Sequence, residues 1–373
     1  MYDLKSPEGV IEYLKGTRFA ASHVQRLSGG YSAFTYRVTL QAPLKTGEKT
    51  IVIKHYEGFC ARMEKMRAEA KRAEYEYKAL SAVAESRLFD SASIVQFPRP
   101  IENDQDTHTI FMHDIGSTIP LTQVLDKGFP HNESSGSTAT YGFREKYELA
   151  SYIGGALGDF LGCFHNWSAL PEQAALRAYF GQHANRSQAI VSSRLYFLTL
   201  ATTRFKLHES WMDELIAKEE QEASMDGGVL VMGDCTFQNI LISPPSGGRD
   251  MRIYLTDLEV ARASYPEVDI GALTASAISF RLLYYPRVDY PFVAALHQAY
   301  SRHRTLDPRR IGIATGVELI GFGSLFLGPD GQDETKARNV VVEGVKLLNF
   351  SINKDEDSIK SNPVVQNLFI AQS

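Results

Sequence analysis

Val231-Met232-Gly233-Asp234-Cys235-Thr236-Phe237-Gln238-Asn239-Ile240-Leu241-Ile242, followed by Ile253-Tyr254-Leu255-Thr256-Asp257-Leu258-Glu259, is the stretch that decides the fold. Each segment places a carboxylate just past the end of an apolar strand, where an acidic group is otherwise costly. Phosphoryl transfer needs three such groups. One carboxylate accepts the proton of the acceptor hydroxyl, while an amide and a second carboxylate hold Mg²⁺ against the phosphates. Asp234, Asn239 and Asp257 fit those tasks in that order. Asp-x4-Asn is common by chance, so the pair gains weight only from its upstream context.

That context supplies three more features. Ser28-Gly29-Gly30-Tyr31-Ser32 lies between two strands predicted over Val24–Val38. Glycines at such a tip let the backbone approach a phosphate, although Gly-Gly is also an ordinary hairpin signal. Lys54 ends the apolar strand Thr50–His55 and offers a point charge to phosphates. A helix is expected from Ala61 to Glu85, since Ala, Glu, Lys, Arg and Met dominate there. On it Glu76 shares a face with Ala73, Ala79, Leu80 and Val83, so its carboxylate needs a buried partner. Lys54 is one candidate, and an i,i+4 pair with Arg72 is the other.

The chain has 373 residues, a length that fits two domains or one bilobal unit. Thirty-nine Lys and Arg against 44 Asp and Glu give a formal charge of −5, with no basic excess for a nucleic-acid partner. With 44% hydrophobic and 22% charged residues the composition is that of an ordinary globular protein. Cys60, Cys163 and Cys235 are too few and too scattered for a disulfide framework or a zinc site. The N-terminus lacks the apolar run of a signal peptide. The longest apolar stretch, Ile311 to Leu327, carries Glu318 and reads as a buried helix, not a membrane span. A cytoplasmic protein without nucleic-acid or membrane partners is expected. Oligomeric state is not legible.

A short helix is expected to start at Ser6-Pro7 and run to Leu14, with Ser6 as its N-cap. Thr109–Met112 reads as a strand, and the character changes after Asp114. The expected boundary lies near residue 113, with a small β-rich lobe over 1–113 and a larger, mainly helical lobe over 114–373. Tyr147–Phe164 is helical, with Gly154, Gly155 and Gly158 permitting close helix packing. The polar stretch 128–142 reads as a loop.

The ordered set of glycine hairpin, strand Lys, helix Glu, Asp-x4-Asn and strand Asp resembles the aminoglycoside phosphotransferase/choline kinase branch of the protein-kinase-like fold. Within it, the chain is similar to fungal small-molecule kinases of the 4-hydroxytryptamine kinase type and to methylthioribose kinases. Asp3-Leu4-Lys5, Arg26-Leu27-Ser28-Gly29-Gly30, Tyr75-Glu76-Tyr77 and Asn239-Ile240-Leu241 carry that likeness. The resemblance implies a bilobal α+β fold and transfer of the γ-phosphoryl of ATP to a hydroxyl of a small molecule. It implies Asp234 as the catalytic aspartate, Asn239 and Asp257 as Mg²⁺ ligands, and Lys54 with Glu76 as the phosphate-positioning pair. Ser28, Gly29 and Gly30 would cover the phosphates. Adenine would lie against the connector backbone at Met112, His113 and Ile115. Asp269 resembles a structural aspartate that steadies the catalytic loop.

The chain departs from the family pattern in four places. Met232 stands where a histidine is usual, and Thr236-Phe237-Gln238 replaces a run of small residues near the acceptor. Leu258 replaces a tryptophan, and Ala33 an asparagine. These changes leave room for a catalytically silent nucleotide-binding relative as the rival to an active enzyme. The acceptor classes open at this point are hydroxytryptamine-like amines, methylthioribose, aminoglycosides and choline. His165 is expected to be structural and Cys235 inert. Glu259 either binds an amine or cation or pairs with Arg262. Tyr284, Tyr285 and Tyr290 read as core.

Overall fold

Ser6 accepts the amide of Gly9 over 3.2 Å and Pro7 takes the first helical position, so α1 (Pro7–Leu14) starts where its cap requires. The computed structural model describes residues 2–370 apart from 29, 91, 130–142, 224, 246–249, 285–290 and 326–333. Gly29, Tyr285, Tyr290 and nearly all of the polar loop therefore lie outside the described residues. The chain forms two compact units, Met1–Thr118 with Tyr254–Val260, and Ile119–Ile253 with Ala261–Ser373.

The first unit is built on an antiparallel sheet of β1 (Ala21–Arg26), β2 (Phe34–Leu40), β3 (Thr50–His55), β8 (Thr109–His113) and β7 (Pro100–Asp104), in that spatial order. Strand β6 (Val95–Gln96) precedes β7. Alternate residues of β2, Phe34, Tyr36, Val38 and Leu40, point into a core shared with Val10, Leu14, Ile51, Ile53 and Phe111. Lys54 stands opposite Thr35 on one side and Ile110 on the other, so its strand is central and its backbone fixed.

The helix expected from Ala61 begins only at Arg72. Phe59–Cys60 (β4) and Met63–Arg67 (β5) form an antiparallel hairpin instead, and α2 runs from Arg72 to Ser86. The amides of Ala61 and Arg62 donate to the carbonyls of Ser32 and Tyr31 over 3.1 and 3.0 Å. Pairing with the glycine turn thus overrides the helical composition of 61–71, which is a weak prior against tertiary contacts.

The second unit pairs β10 (Val229–Val231) with β13 (Arg262–Ser264), and β11 (Ile240–Ser243) with β9 (Ile119–Pro120). Strand β12 (Arg252–Leu255) leads into the Tyr254–Val260 segment of the first unit. Helices α3 (Leu121–Lys127), α4 (Phe143–Ala169), α5 (Ala174–Gly181), α6 (Ala184–Arg204) and α7 (Ser210–Glu222) precede β10. After β13 come α8 (Glu267–Tyr284), α9 (Pro291–Ser301), α10 (Pro308–Leu325), α11 (Glu334–Asn353) and α12 (Glu356–Lys360). Helix α10 packs on α6, α8 and α11, with Leu198, Ile313, Ile320, Val341 and Leu348 in the shared core. Helix α4 packs on α9. A Cβ on Gly154 or Gly158 would stand 2.4 or 2.2 Å from the carbonyl oxygens of Phe292 or Leu296, so these two glycines set the approach. Gly155, expected to share that task, meets nothing within 4 Å. Among the described residues no helix is long and apolar enough to cross a membrane.

Candidate active site

In the first unit, Lys54 donates to Glu76 Oε1 over 3.0 Å and also contacts Asp257. Glu76 accepts further hydrogen bonds from the Tyr56 hydroxyl and, over 3.3 Å, from the amide of Leu258. Burial alone would push the Lys54 ammonium down, but Asp257, Glu76 and Glu259 outweigh it and hold the ammonium above its ordinary value. Lys54 is therefore a permanent cation, with the Asp257 carboxylate on the more open side, 32% exposed against 3% for Glu76. Asp257 has a φ of 63°, a left-handed backbone that turns the chain sharply after β12.

Arg72 does not pair with Glu76. Its guanidinium donates to the carbonyls of Glu57, Glu69, Ser32 and Phe59 over 2.7–3.1 Å, which ties α2 to the glycine turn. Its Nε also lies 3.3 Å from Glu259 Oε2, the oxygen that accepts from Ser32 Oγ over 2.6 Å. Glu259 thus joins Ser32 and Arg72. Within the turn, Ser28 is exposed and Gly30 half-buried, and the amide of Leu27 donates to Thr35 across its base over 2.9 Å. In the connector, Met112 is buried and the amide of His113 donates to Arg99 over 2.9 Å. Asp114 accepts two hydrogen bonds from Arg37, over 2.8 and 3.0 Å, and one from the amide of Gly116, leaving Ile115 half-buried between them.

In the second unit, the loop after β10 is held by its backbone. The amides of Met232 and Gly233 donate to the two oxygens of Asp269 over 2.8 and 2.9 Å. Asp269 also accepts from His165, whose other nitrogen meets the Tyr300 hydroxyl at 3.0 Å, and all three side chains are buried. His165 is structural, as its position suggested. Gly233 has a φ of 80°, which glycine adopts without strain and which swings Asp234 out of the β10 line. Asn239, at the end of a short turn over Phe237–Asn239, donates to Asp234 Oδ2 over 2.8 Å and to the Asp234 carbonyl over 2.9 Å. With its nitrogen so used, the amide's other group is an oxygen, a hard donor of the kind Mg²⁺ takes. Among the described residues no group of three or more His, Cys, Asp and Glu could hold a metal ion.

The altered run after Asp234 packs inward. Cys235 is fully buried, and burial pushes its thiol well above the ordinary value, which makes it inert. Phe237 packs on Phe292 and Phe280 at ring distances of 4.9 and 6.1 Å, while Gln238 faces outward. Phe237 is a core residue. Leu258, in place of the usual tryptophan, is likewise buried.

No family model matches the chain. It is similar to a 4-hydroxytryptamine kinase of Psilocybe cyanescens, 26% identical over 278 residues and 72% of each chain. A 4-hydroxytryptamine kinase of Psilocybe cubensis is 24% identical over 279 residues, again 72% of each. Among solved structures, a choline kinase from Cryptosporidium parvum Iowa II superposes with a TM-score of 0.51 at 13% identity, covering 97% of this chain and 99% of its own. These relatives and the shared fold support a small-molecule kinase of the aminoglycoside phosphotransferase/choline kinase-like family. In this chain the two groups just described occupy the sequence positions on which the resemblance rests. Three further residues at the site escaped sequence reading. Tyr56 follows Lys54 by two, just past the end of β3. Arg194 and Glu318 lie on helices α6 and α10, far from any motif. Only the polarity of Glu318 in an apolar helix marked that position.

Proposed function

We propose that this kinase moves the γ-phosphoryl group of ATP to a hydroxyl of a small metabolite, with a hydroxytryptamine-like amine as the acceptor class. The observation that carries the reading is the Asp234 carboxylate, pinned by Asn239 at 2.8 Å on a loop fixed by Asp269. A carboxylate so held accepts the hydroxyl proton as the oxygen–phosphorus bond forms and the bond between the γ-phosphorus and its bridging oxygen breaks, releasing ADP. Lys54, kept cationic by Glu76 and Asp257, offers its charge to the phosphates. Ser28, Gly29 and Gly30 contribute backbone amides to the same phosphates, and the backbone of Met112, His113 and Ile115 receives adenine. Asn239 and Asp257 would hold Mg²⁺, which would neutralise charge on the phosphate oxygens.

The names of the two Psilocybe relatives support the acceptor class. Cys60, Cys163 and Cys235 are free thiols, which supports a reducing, ATP-supplied cytoplasm as the site of action. The inward packing of Cys235 and Phe237 supports reading these two changes as core packing. The test is Mg²⁺-dependent ADP release against 4-hydroxytryptamine, methylthioribose, choline, ethanolamine and kanamycin. Stimulation by 4-hydroxytryptamine above the other acceptors is expected. Stimulation by another acceptor alone overturns the acceptor class, and ATP binding without any turnover overturns the enzyme.

A further inference from the structure

Arg194 reaches from α6 to the loop that carries Asp234. Its Nη2 donates to the carbonyl of Gly233 and lies 3.6 Å from Asp234 Oδ1, and its Nη1 pairs with Glu318 Oε1 on α10. The Arg194 side chain is 11% exposed and that of Glu318 only 5%, so both charges have left water. Among the described residues Glu318 Oε2 has no hydrogen-bond partner, and Oε1 pairs with Arg194. A buried carboxylate with one oxygen unsatisfied is costly, and an apolar helix such as α10 gives no packing reason to keep it. A guanidinium, by contrast, presents several donors in a rigid fork that can bind two acceptors at a set angle.

We infer that Arg194, set by Glu318, is a positioning residue for Asp234. The two oxygens of Asp234 face different neighbours, Oδ2 the amide of Asn239 and Oδ1 the guanidinium of Arg194. The peptides on both sides of Gly233 are also held, the amide by Asp269 and the carbonyl by Arg194. Arg194 lies against Oδ1 as Asn239 does against Oδ2, and together they keep Oδ1 in the orientation from which it meets the acceptor hydroxyl. Glu318 does not touch the reaction. It keeps the guanidinium fork from swinging toward solvent.

The inference rests on the assignment of Asp234 as the proton acceptor, so Asp234→Asn is measured beside the new variants. ADP release is followed with 4-hydroxytryptamine and with water alone as acceptor, together with melting temperature. Arg194→Ala should lower kcat by about 10- to 100-fold, the size expected when a catalytic group is displaced by about 1 Å, with KM for ATP within about twofold. Guanidinium chloride at low millimolar concentration should restore part of the loss in Arg194→Ala and none in Asp234→Asn. Glu318→Gln should lower kcat less, in the same direction. If Arg194→Ala does not fold, Glu318→Gln decides alone. Wild-type kcat in both variants while Asp234→Asn is inactive overturns the role of Arg194 and leaves the enzyme reading intact. So does a loss in Arg194→Ala that follows melting temperature and is not rescued. Wild-type turnover in Asp234→Asn overturns the reading beneath both.

Discussion

Lys54 and Glu76 meet at 3.0 Å with both side chains almost completely out of water. Such a pair is weak evidence of net stability, because two desolvated charges cost about as much as their attraction returns. Removing one partner is different, since it leaves the other charge buried. Glu76→Ala keeps Lys54 beside Asp257 but strands the hydroxyl of Tyr56 and the amide of Leu258. Stability should fall by about 3 kcal/mol, the low end for a broken buried pair. Urea denaturation reads this directly, and KM for ATP should rise in the surviving folded protein. A change within about 0.5 kcal/mol, ordinary for a surface site, would contradict the account.

Asp269 is the anchor of the Asp234 loop. Asp269→Ala would leave the amides of Met232 and Gly233 buried without acceptors, at about 1–3 kcal/mol each. The variant should lose both stability and turnover, with ATP affinity changed least. Denaturation and kinetics on the same preparation check this. Full turnover at reduced stability would show that the loop keeps its shape without the anchor.

The glycines of α4 give a paired test. Gly158→Ala would drive a Cβ to 2.2 Å from the carbonyl of Leu296, a backbone atom that cannot move aside cheaply. Overpacking of this kind costs about 1–3 kcal/mol or more. Gly155→Ala meets nothing within 4 Å and should instead stabilise the helix by up to about 1 kcal/mol. Melting temperatures of opposite sign are expected. Equal effects would remove the close approach of α4 and α9 as the reason for Gly158.

His297 makes stability depend on pH. Thr274 gives its hydroxyl hydrogen to the carbonyl of Ile270, so its oxygen accepts from His297 Nε2 at 2.7 Å, and His297 Nδ1 has no partner among the described residues. Burial pushes this imidazole down to about 3, against about 6.5 in the unfolded chain. The unfolded state therefore binds the proton first. The contribution of His297 is complete above about pH 6.5 and is lost as pH falls from there toward 3, by up to about 1.4 kcal/mol per unit. Denaturation at pH 7, 6 and 5 should show a shallower slope for His297→Asn than for wild type. Parallel slopes would mean that His297 binds its proton equally in the folded and unfolded chain.

Much of this architecture was legible because local signals and tertiary demands agree. Ser6-Pro7 caps α1, the apolar runs at 50–55, 229–231 and 240–243 form strands, and a carboxylate on the buried face of α2 finds Lys54. Where the two disagree, the sequence misleads. Residues 61–71 look helical but Met63–Arg67 pairs with Phe59–Cys60 and the amides of Ala61 and Arg62 bond to the glycine turn, and Phe237 stands near the catalytic aspartate but has aromatic partners contributed from α8 and α9. Arg194 could not be found from spacing. Its partners come from two other elements more than thirty and more than a hundred residues away, and no local pattern records such a meeting.

The central claim is that the γ-phosphoryl group passes to an acceptor hydroxyl under the control of Asp234. The most direct measurement is mass spectrometry of the products formed from ATP labelled with ¹⁸O on the γ-phosphoryl group, with 4-hydroxytryptamine and Mg²⁺. The account predicts a phosphorylated acceptor that carries the label on its phosphoryl oxygens and the original oxygen in the new ester bond, absent with Asp234→Asn. Label recovered only as inorganic phosphate, or equal product from Asp234→Asn, would contradict it.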